Sequence, residues 1–340
     1  MSIRKEIETK EKENLSIYAM SSSRSRGRDK YERSCTFRTE FQVDKDRILY
    51  SLGFRLLKYK TQVFPLHKGQ GFRTRMTHTL EVVSISRKLA RGLNLNQDLT
   101  EAIALGHDIG HPPFGHAGEA GIDEVTPFEY THSTQGLRIV EFVENQGKGL
   151  NLTCEVKEGI QNHSKSSIDI LSLIQRNKND SISMEARVVQ FADMIAYINH
   201  DIDDAIKMGF IKKYNIPNCV KEVFTLEIDK NIIKIIEDIV SSSKGKNYIT
   251  MSSKTLKLLQ EARKYLIENL YNLPLIKDEQ HRVKRKIKEL YNYLVNNYHL
   301  VVEKMDYLKN CNPHKGTCDF ISYLTDEQAE NLHNNYCLRK

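Results

Sequence analysis

The sequence predicts an all-α fold, and three observations predict it. Apolar residues recur at helical spacing, as at Met184, Val188, Phe191, Ile195 and Ile198. Only seven prolines and no tryptophan interrupt the 340 residues. Strand-like alternation bounded by hairpin turns is hard to find anywhere. With 39% apolar and 28% charged residues, the chain can bury a substantial core and is too aliphatic to be disordered.

Taken in order, the elements begin with an irregular N-terminal arm over 1–40. Its polar basic stretch Ser21-Ser22-Ser23-Arg24-Ser25-Arg26-Gly27-Arg28 reads as a solvated loop. Leu80, Val83, Leu89 and Leu93 mark a helix that opens near His78. An apolar helix starts near Gln97 and ends at His107-Asp108, just before a Gly/Pro break. Val125 to Gly149, with Pro127 and scattered glycines, reads as an irregular zone. After the Met184 helix, a break at Tyr214-Asn215-Ile216-Pro217 precedes a Lys-rich half whose segments 253–271 and 279–306 read as long amphipathic helices. The expected plan is an arm over 1–40, a core over 41–210 and a helical region over 211–340 packed on that core.

Several classes are excluded. No apolar run approaches the roughly 20 residues of a membrane span. The charged start MSIRKEIETKEKENLSIYAM lacks the apolar centre of an export signal, so secretion is not expected. Six scattered cysteines suit reduced thiols in the cytoplasm. Lysine and arginine total 51 against 44 acidic residues, an excess that suits an anionic partner such as a nucleotide or nucleic acid.

Four segments concentrate histidine and aspartate: Arg73 to His78, His107 to Glu119, Phe128 to His132, and Gln190 to Asp201. His107 and Asp108 are adjacent, and neighbours on a helix diverge by about 100°, so they converge on one ion only where a helix terminates. Imidazoles mixed with carboxylates suit Mn2+, Fe2+, Co2+ or Zn2+ with positions left open. Asp193, Tyr197 and Asp201 are spaced i, i+4, i+8 and share one helical stripe. Plainer readings stand beside these: Asp193 paired with Arg187, Tyr197 in the core, His132 bonded to backbone, and Gln62 an ordinary polar residue. The C-terminal Cys311, His314, Cys318, His333 and Cys337 do not have the spacing of a standard zinc finger and read as incidental.

The sequence resembles the HD-domain metal-dependent phosphohydrolases, and within them the deoxyguanosinetriphosphate triphosphohydrolase (dGTPase/dNTPase) branch. His78, His107-Asp108 and Asp193 match the superfamily's H…HD…D signature. Phe41 to Ile48, Lys58 to Phe64, Arg73 to Val82, His107 to Glu119, Gly149 to Thr153, Ala192 to Asp201 and Asp319 to Asp326 extend the likeness over most of 36–326. The resemblance implies an HD-domain helical core with a helical C-terminal extension. It implies His78, His107, Asp108 and Asp193 as ligands of one divalent metal, with Mg2+ added to the ions above. Catalytic roles fall to His116 as general acid, with Glu119 as its acidic partner, and to His111 and His132 along the phosphate path. Arg75 corresponds to a phosphate contact, and Gln62, Tyr197 and Asp201 to contacts with the deoxyribose. Arg55-Leu56, where many relatives have two arginines, and Glu129-Tyr130-Thr131 before His132 depart from the family's common forms.

The expected reaction is hydrolysis of dNTPs, dGTP among them, at the α-phosphorus to deoxynucleoside and triphosphate. A homo-oligomer, hexamer or tetramer, and a dNTP or single-stranded DNA effector are implied as well. Two competing readings are an HD phosphohydrolase of nucleoside monophosphates, cyclic dinucleotides or alarmones, and a non-catalytic nucleic-acid-binding regulator.

Overall fold

A computed structural model describes residues 2–63, 72–164, 169–178, 181–223 and 228–338. Phe64, which closes the Lys58–Phe64 motif, lies outside these residues. The described residues are helical and contain no strand; two isolated bridges, Arg28 with Thr153 and Thr61 with Thr74, are the only β pairings among them. Among the described residues no helix is long and apolar enough to cross a membrane. The chain divides into two compact units, each assembled from separated segments.

The first unit comprises residues 1–46, 78–105 and 153–273. Its axis is the helix Met184–Lys207, started by Ser183, whose side chain accepts from the Ala186 N–H. Val188, Phe191, Ile195, Ile198 and Ile202 on this helix are fully buried. Helices Cys154–Asn162 and Ser253–Leu266 pack on it, contributing Val156, Ile160, Leu259, Ala262 and Leu266. Each such side chain contributes roughly 1.5–3 kcal/mol by leaving water.

Two sequence expectations need correction in this unit. Leu80 and Val83 do not face the core: Leu80 is half exposed, while Val82, Ile85 and Leu89 are buried. The buried stripe of helix Arg75–Gly92 also runs through His78, Thr79 and Ser86, polar residues that apolar counting passes over. The basic stretch 21–28 is not a solvated arm either. Arg26 makes a fork of bonds to Glu158 at 2.8 and 2.6 Å, Arg28 bonds Glu40 and Asp44, and Arg24 donates to the Ala19 carbonyl. Ser22 donates to Glu11 from both its N–H and its hydroxyl, each at 2.7 Å. The acidic partners lie in the first helix, in the helix Glu40–Leu49 and far along the chain at Glu158, where composition cannot reveal them.

The second unit comprises residues 47–77, 106–152 and 274–340. Its axis is the helix Pro274–Asn296, against which Gly115–Asp123, Pro313–Ser322 and Asp326–Tyr336 pack. Ile122, Ile287, Leu290, Tyr291, Leu294, Ile321 and Ala329 form its apolar centre. Asn312 caps Pro313–Ser322 with Pro313 at the first position, and Thr325 with Gln328 closes a capping box on the last helix. The 125–149 zone is only partly irregular: Thr131 caps a helix His132–Arg138, which continues into a π turn at Ile139–Val143. Arg138 docks this helix onto buried Asp319 at 2.6 Å. Sequence 279–306 forms two helices rather than one, Pro274–Asn296 and His299–Lys304.

Candidate active site

In the first unit, His78 sits in the opening turn of Arg75–Gly92, and its Nε2 lies 3.1 Å from Asp193 Oδ1. Its Nδ1 lies 2.7 Å from Nε2 of His200, so one imidazole donates and the other accepts, and their tautomers are linked. Behind His200 stands Asp201, with Oδ1 2.7 Å from His200 Nδ1. The Tyr271 hydroxyl donates to Asp201 Oδ2 at 2.5 Å. Burial, then the nearby Asp201 carboxylate, pushes the Tyr271 phenol well above its ordinary pKa. Burial also pushes Tyr197 up to about 12, against the opposing pull of Arg263. Asp201, the residue expected at the sugar, is 2% exposed and accepts the Tyr271 hydroxyl. Arg187, the alternative partner considered for Asp193, donates to the Asn247 carbonyl.

In the second unit, helix Gln97–Gly106 ends and the chain turns through His107-Asp108-Ile109-Gly110. Asp108 Oδ1 lies 3.5 Å from His107 Nε2 and 3.2 Å from His111 Nε2, while Oδ2 accepts from Arg75 at 2.8 Å. Burial would raise the Asp108 pKa, but His107, Arg75 and His111 outweigh it and hold the carboxyl well below its usual range. Arg75 also donates to the Gln62 carbonyl at 3.2 Å, and Gln62 Oε1 has no hydrogen-bond partner among the described residues. Gly110 is required by close approach, since a Cβ there would stand 2.0 Å from the His132 carbonyl oxygen.

Past the prolines, Phe114 and Gly115 both take left-handed backbone, with φ of 63° and 58°. Asp326 fixes this turn by accepting the Phe114 N–H at 2.8 Å and the Thr61 N–H at 2.8 Å. Lys60, fully enclosed, donates to the carbonyls of His111 at 2.7 Å and Ser322 at 2.6 Å. Burial pushes its amine down to about 7.

Helix Gly115–Asp123 then presents His116 and Glu119 on one side, three residues apart. His116 Nδ1 lies 2.9 Å from Glu119 Oε2, and the His116 side chain is 66% exposed. Glu119 Oε1 accepts the His132 N–H at 2.8 Å and lies 2.9 Å from His132 Nδ1. The His111 ring stacks on His132, with centroids 3.8 Å apart and planes at 11°. Burial raises the Glu119 pKa, yet the bonds to His116 and His132 prevail and hold it far below the carboxylate range. Burial, with Arg75 and His132, drives the His111 pKa well below that of an ordinary imidazole.

The structure therefore gathers His111, His116, Glu119 and His132 into one cluster, Arg75 and Gln62 beside Asp108, and His78 against Asp193. His200 and Tyr271 were not singled out by sequence reasoning. The signal for His200 was a second His-Asp pair, at 200–201, one turn after Tyr197. At the C-terminus, His333 faces Glu289 at 2.6 Å and His314 pairs with Tyr291 at 2.7 Å, and all six cysteines are free thiols.

Comparison with known proteins bears on this arrangement. Residues 75–198 match the HD domain family and residues 249–335 the phosphohydrolase-associated domain. The chain is 42% identical to a deoxyguanosinetriphosphate triphosphohydrolase-like protein of Desulfatibacillum aliphaticivorans, over 97% of this chain and 96% of that one. A protein of the same description from Caldanaerobacter subterraneus is 41% identical, over 97% and 94% of the two chains. The crystal structure of a phosphohydrolase from Bacteroides thetaiotaomicron superposes with a TM-score of 0.51 at 16% identity, over 83% of this chain and 65% of that one, a likeness of fold. With full-length relatives at this identity, the chain belongs to the deoxyguanosinetriphosphate triphosphohydrolase-like family of HD-domain phosphohydrolases.

Proposed function

We propose that the protein is a metal-dependent dNTP triphosphohydrolase that cleaves at the α-phosphorus and releases deoxynucleoside and inorganic triphosphate, with dGTP among its substrates. The observation that carries this reading is His116, an exposed imidazole held at 2.9 Å by a buried carboxylate. Cleavage to a free nucleoside leaves an alkoxide on the 5′-carbon, which departs only if protonated, and a carboxylate-held imidazole is suited to that task.

The family's motif assigns His78, His107, Asp108 and Asp193 to a divalent cation, and this donor chemistry, two imidazoles and two carboxylates, fits Mn2+, Fe2+, Co2+ or Zn2+, with Mg2+ as a further candidate. When bound, such a cation supplies a polarised phosphoryl oxygen and a more acidic water. The chain's own residues do the rest. Glu119 accepts the Nδ1–H of His116 and stabilises its imidazolium form, in which Nε2–H is the proton left to be donated, the ring then remaining as the neutral Nδ1–H tautomer. His132, bonded to the same carboxylate, sets the side chain of Glu119. Arg75 holds Asp108 and carries positive charge toward the substrate's phosphates, as the resemblance assigns it. Tyr197 and Asp201 are proposed for the deoxyribose, as is Gln62.

Assembly into a homo-oligomer belongs to the same proposal, and Ile17, Tyr31 and Phe37 offer exposed apolar side chains for it. The decisive experiment incubates purified protein with each dNTP and Mn2+ or Mg2+ and separates the products. Tripolyphosphate with free deoxynucleoside is the expected pair. Pyrophosphate, monophosphate or no product rejects the reading.

A further inference from the structure

Glu119 is crowded by more imidazole than one carboxylate can serve. His116 and His132 take its two oxygens, and His111 Nδ1 is left 3.9 Å from Oε2, beyond hydrogen-bond reach. That nitrogen is buried in a side chain 1% exposed and has no hydrogen-bond partner among the described residues. An orphaned buried polar atom of this kind is costly, a penalty that persists until something enters to meet it.

We infer that His111, His116, Glu119 and His132 form a transition-metal site of their own, which takes Zn2+ and, when filled, stops turnover. Their donor atoms all lie within 4.8 Å of one another. A tetrahedral zinc with bonds of about 2.0–2.1 Å sets its ligands about 3.3 Å apart. The separations from Glu119, 2.9 Å to His116, 2.9 Å to His132 and 3.9 Å to His111, bracket that edge. The parallel stack of His111 on His132 turns both Nδ1 atoms to the same side, toward the carboxylate. Two ligands come from buried positions and are fixed, while His116 is open to solvent and gives the ion its way in.

Three imidazoles and one carboxylate favour zinc over magnesium or manganese. The site is thus chemically distinct from one that runs on those ions. Its occupation takes His116 Nδ1 and one oxygen of Glu119, so His116 can no longer carry the two ring protons that its proposed role as an acid at Nε2 requires. That consequence for turnover rests on the reading of His116 given above; the binding itself does not.

The test strips the full-length protein of metal and titrates it with Co2+, whose visible absorption is intense in four-coordinate sites and weak in six-coordinate ones. Wild type and Asp193→Asn are expected to show the intense band, displaced by equimolar Zn2+. His116→Asn and His132→Asn are expected to lose it, with cobalt affinity lowered at least about tenfold. His116 is exposed, so its replacement does not disturb the core, and circular dichroism verifies the fold of each variant. A band that survives both histidine variants, or one absent from Asp193→Asn, overturns the site. If the band behaves as expected but Zn2+ leaves the Mn2+-supported kcat unchanged, the inhibitory role is rejected. If no dNTP is cleaved while the band behaves as expected, the metal site stands and the proposed function falls.

Discussion

His116 and its carboxylate make the sharpest claim at the level of single residues. His116→Ala should lower kcat by about 10²–10⁴, the usual contribution of a positioned acid, while leaving dNTP binding intact. Tripolyphosphate release and calorimetric titration separate those two effects; near-normal turnover would remove the residue from the mechanism. Gly110→Ala should destabilise the protein by at least about 2 kcal/mol, because its Cβ would meet the backbone of His132 and Gly136 rather than a yielding side chain. Urea denaturation measures it. The cluster was legible because HDIGHPPFGHAGE packs its histidines into a dozen positions. His200 and Tyr271 were not, since a buried hydrogen-bond chain linking 271, 201, 200 and 78 has no signature in spacing.

At the scale of elements, the helix Met184–Lys207 was readable because its large apolar residues Met184, Val188, Phe191, Ile195, Ile198 and Ile202 recur at helical spacing, although the helix is buried on nearly every side. The stripe read for the Arg75–Gly92 helix reached the core at Leu89 and Leu93 but not at Leu80, because the core stripe there contains histidine, threonine and serine. The first turn of the 184–207 helix carries a further buried charge site, Glu185, which accepts the Met20 and Asn96 N–H groups at 3.0 Å. Burial raises its pKa to about 7, above an unfolded value of 4.5. Between those pH values the folded chain keeps a proton that the unfolded chain has released, so stability falls as pH rises through this window, by about 3 kcal/mol. Urea unfolding at pH 5 and pH 8 should show that loss in wild type and a smaller one in Glu185→Gln. Equal slopes in both proteins would dismiss the assignment.

At the scale of the whole molecule, neither compact unit is a continuous stretch of chain, and that escaped the sequence because apolar periodicity reports faces and not partners. The C-terminal helices were visible as amphipathic, yet nothing local showed that Asp326 would receive the N–H groups of Thr61 and Phe114. Asp326→Ala takes the acceptor from both partly buried donors, and about 2–6 kcal/mol should be lost at about 1–3 kcal/mol each. Thermal denaturation tests the figure, and a change within about 0.5 kcal/mol would show that water replaces the carboxylate.

The chain passes between its units five times, and the second unit closes only with residues from 274 onward. A ribosome making this protein at about 5–20 residues per second exposes the histidine-bearing turn for many seconds before Pro274–Asn296 emerges to cover it. Nascent chains are therefore the stage at which chaperones have most to shield, and a premature stop in the final helices forfeits the turn as well as the tail.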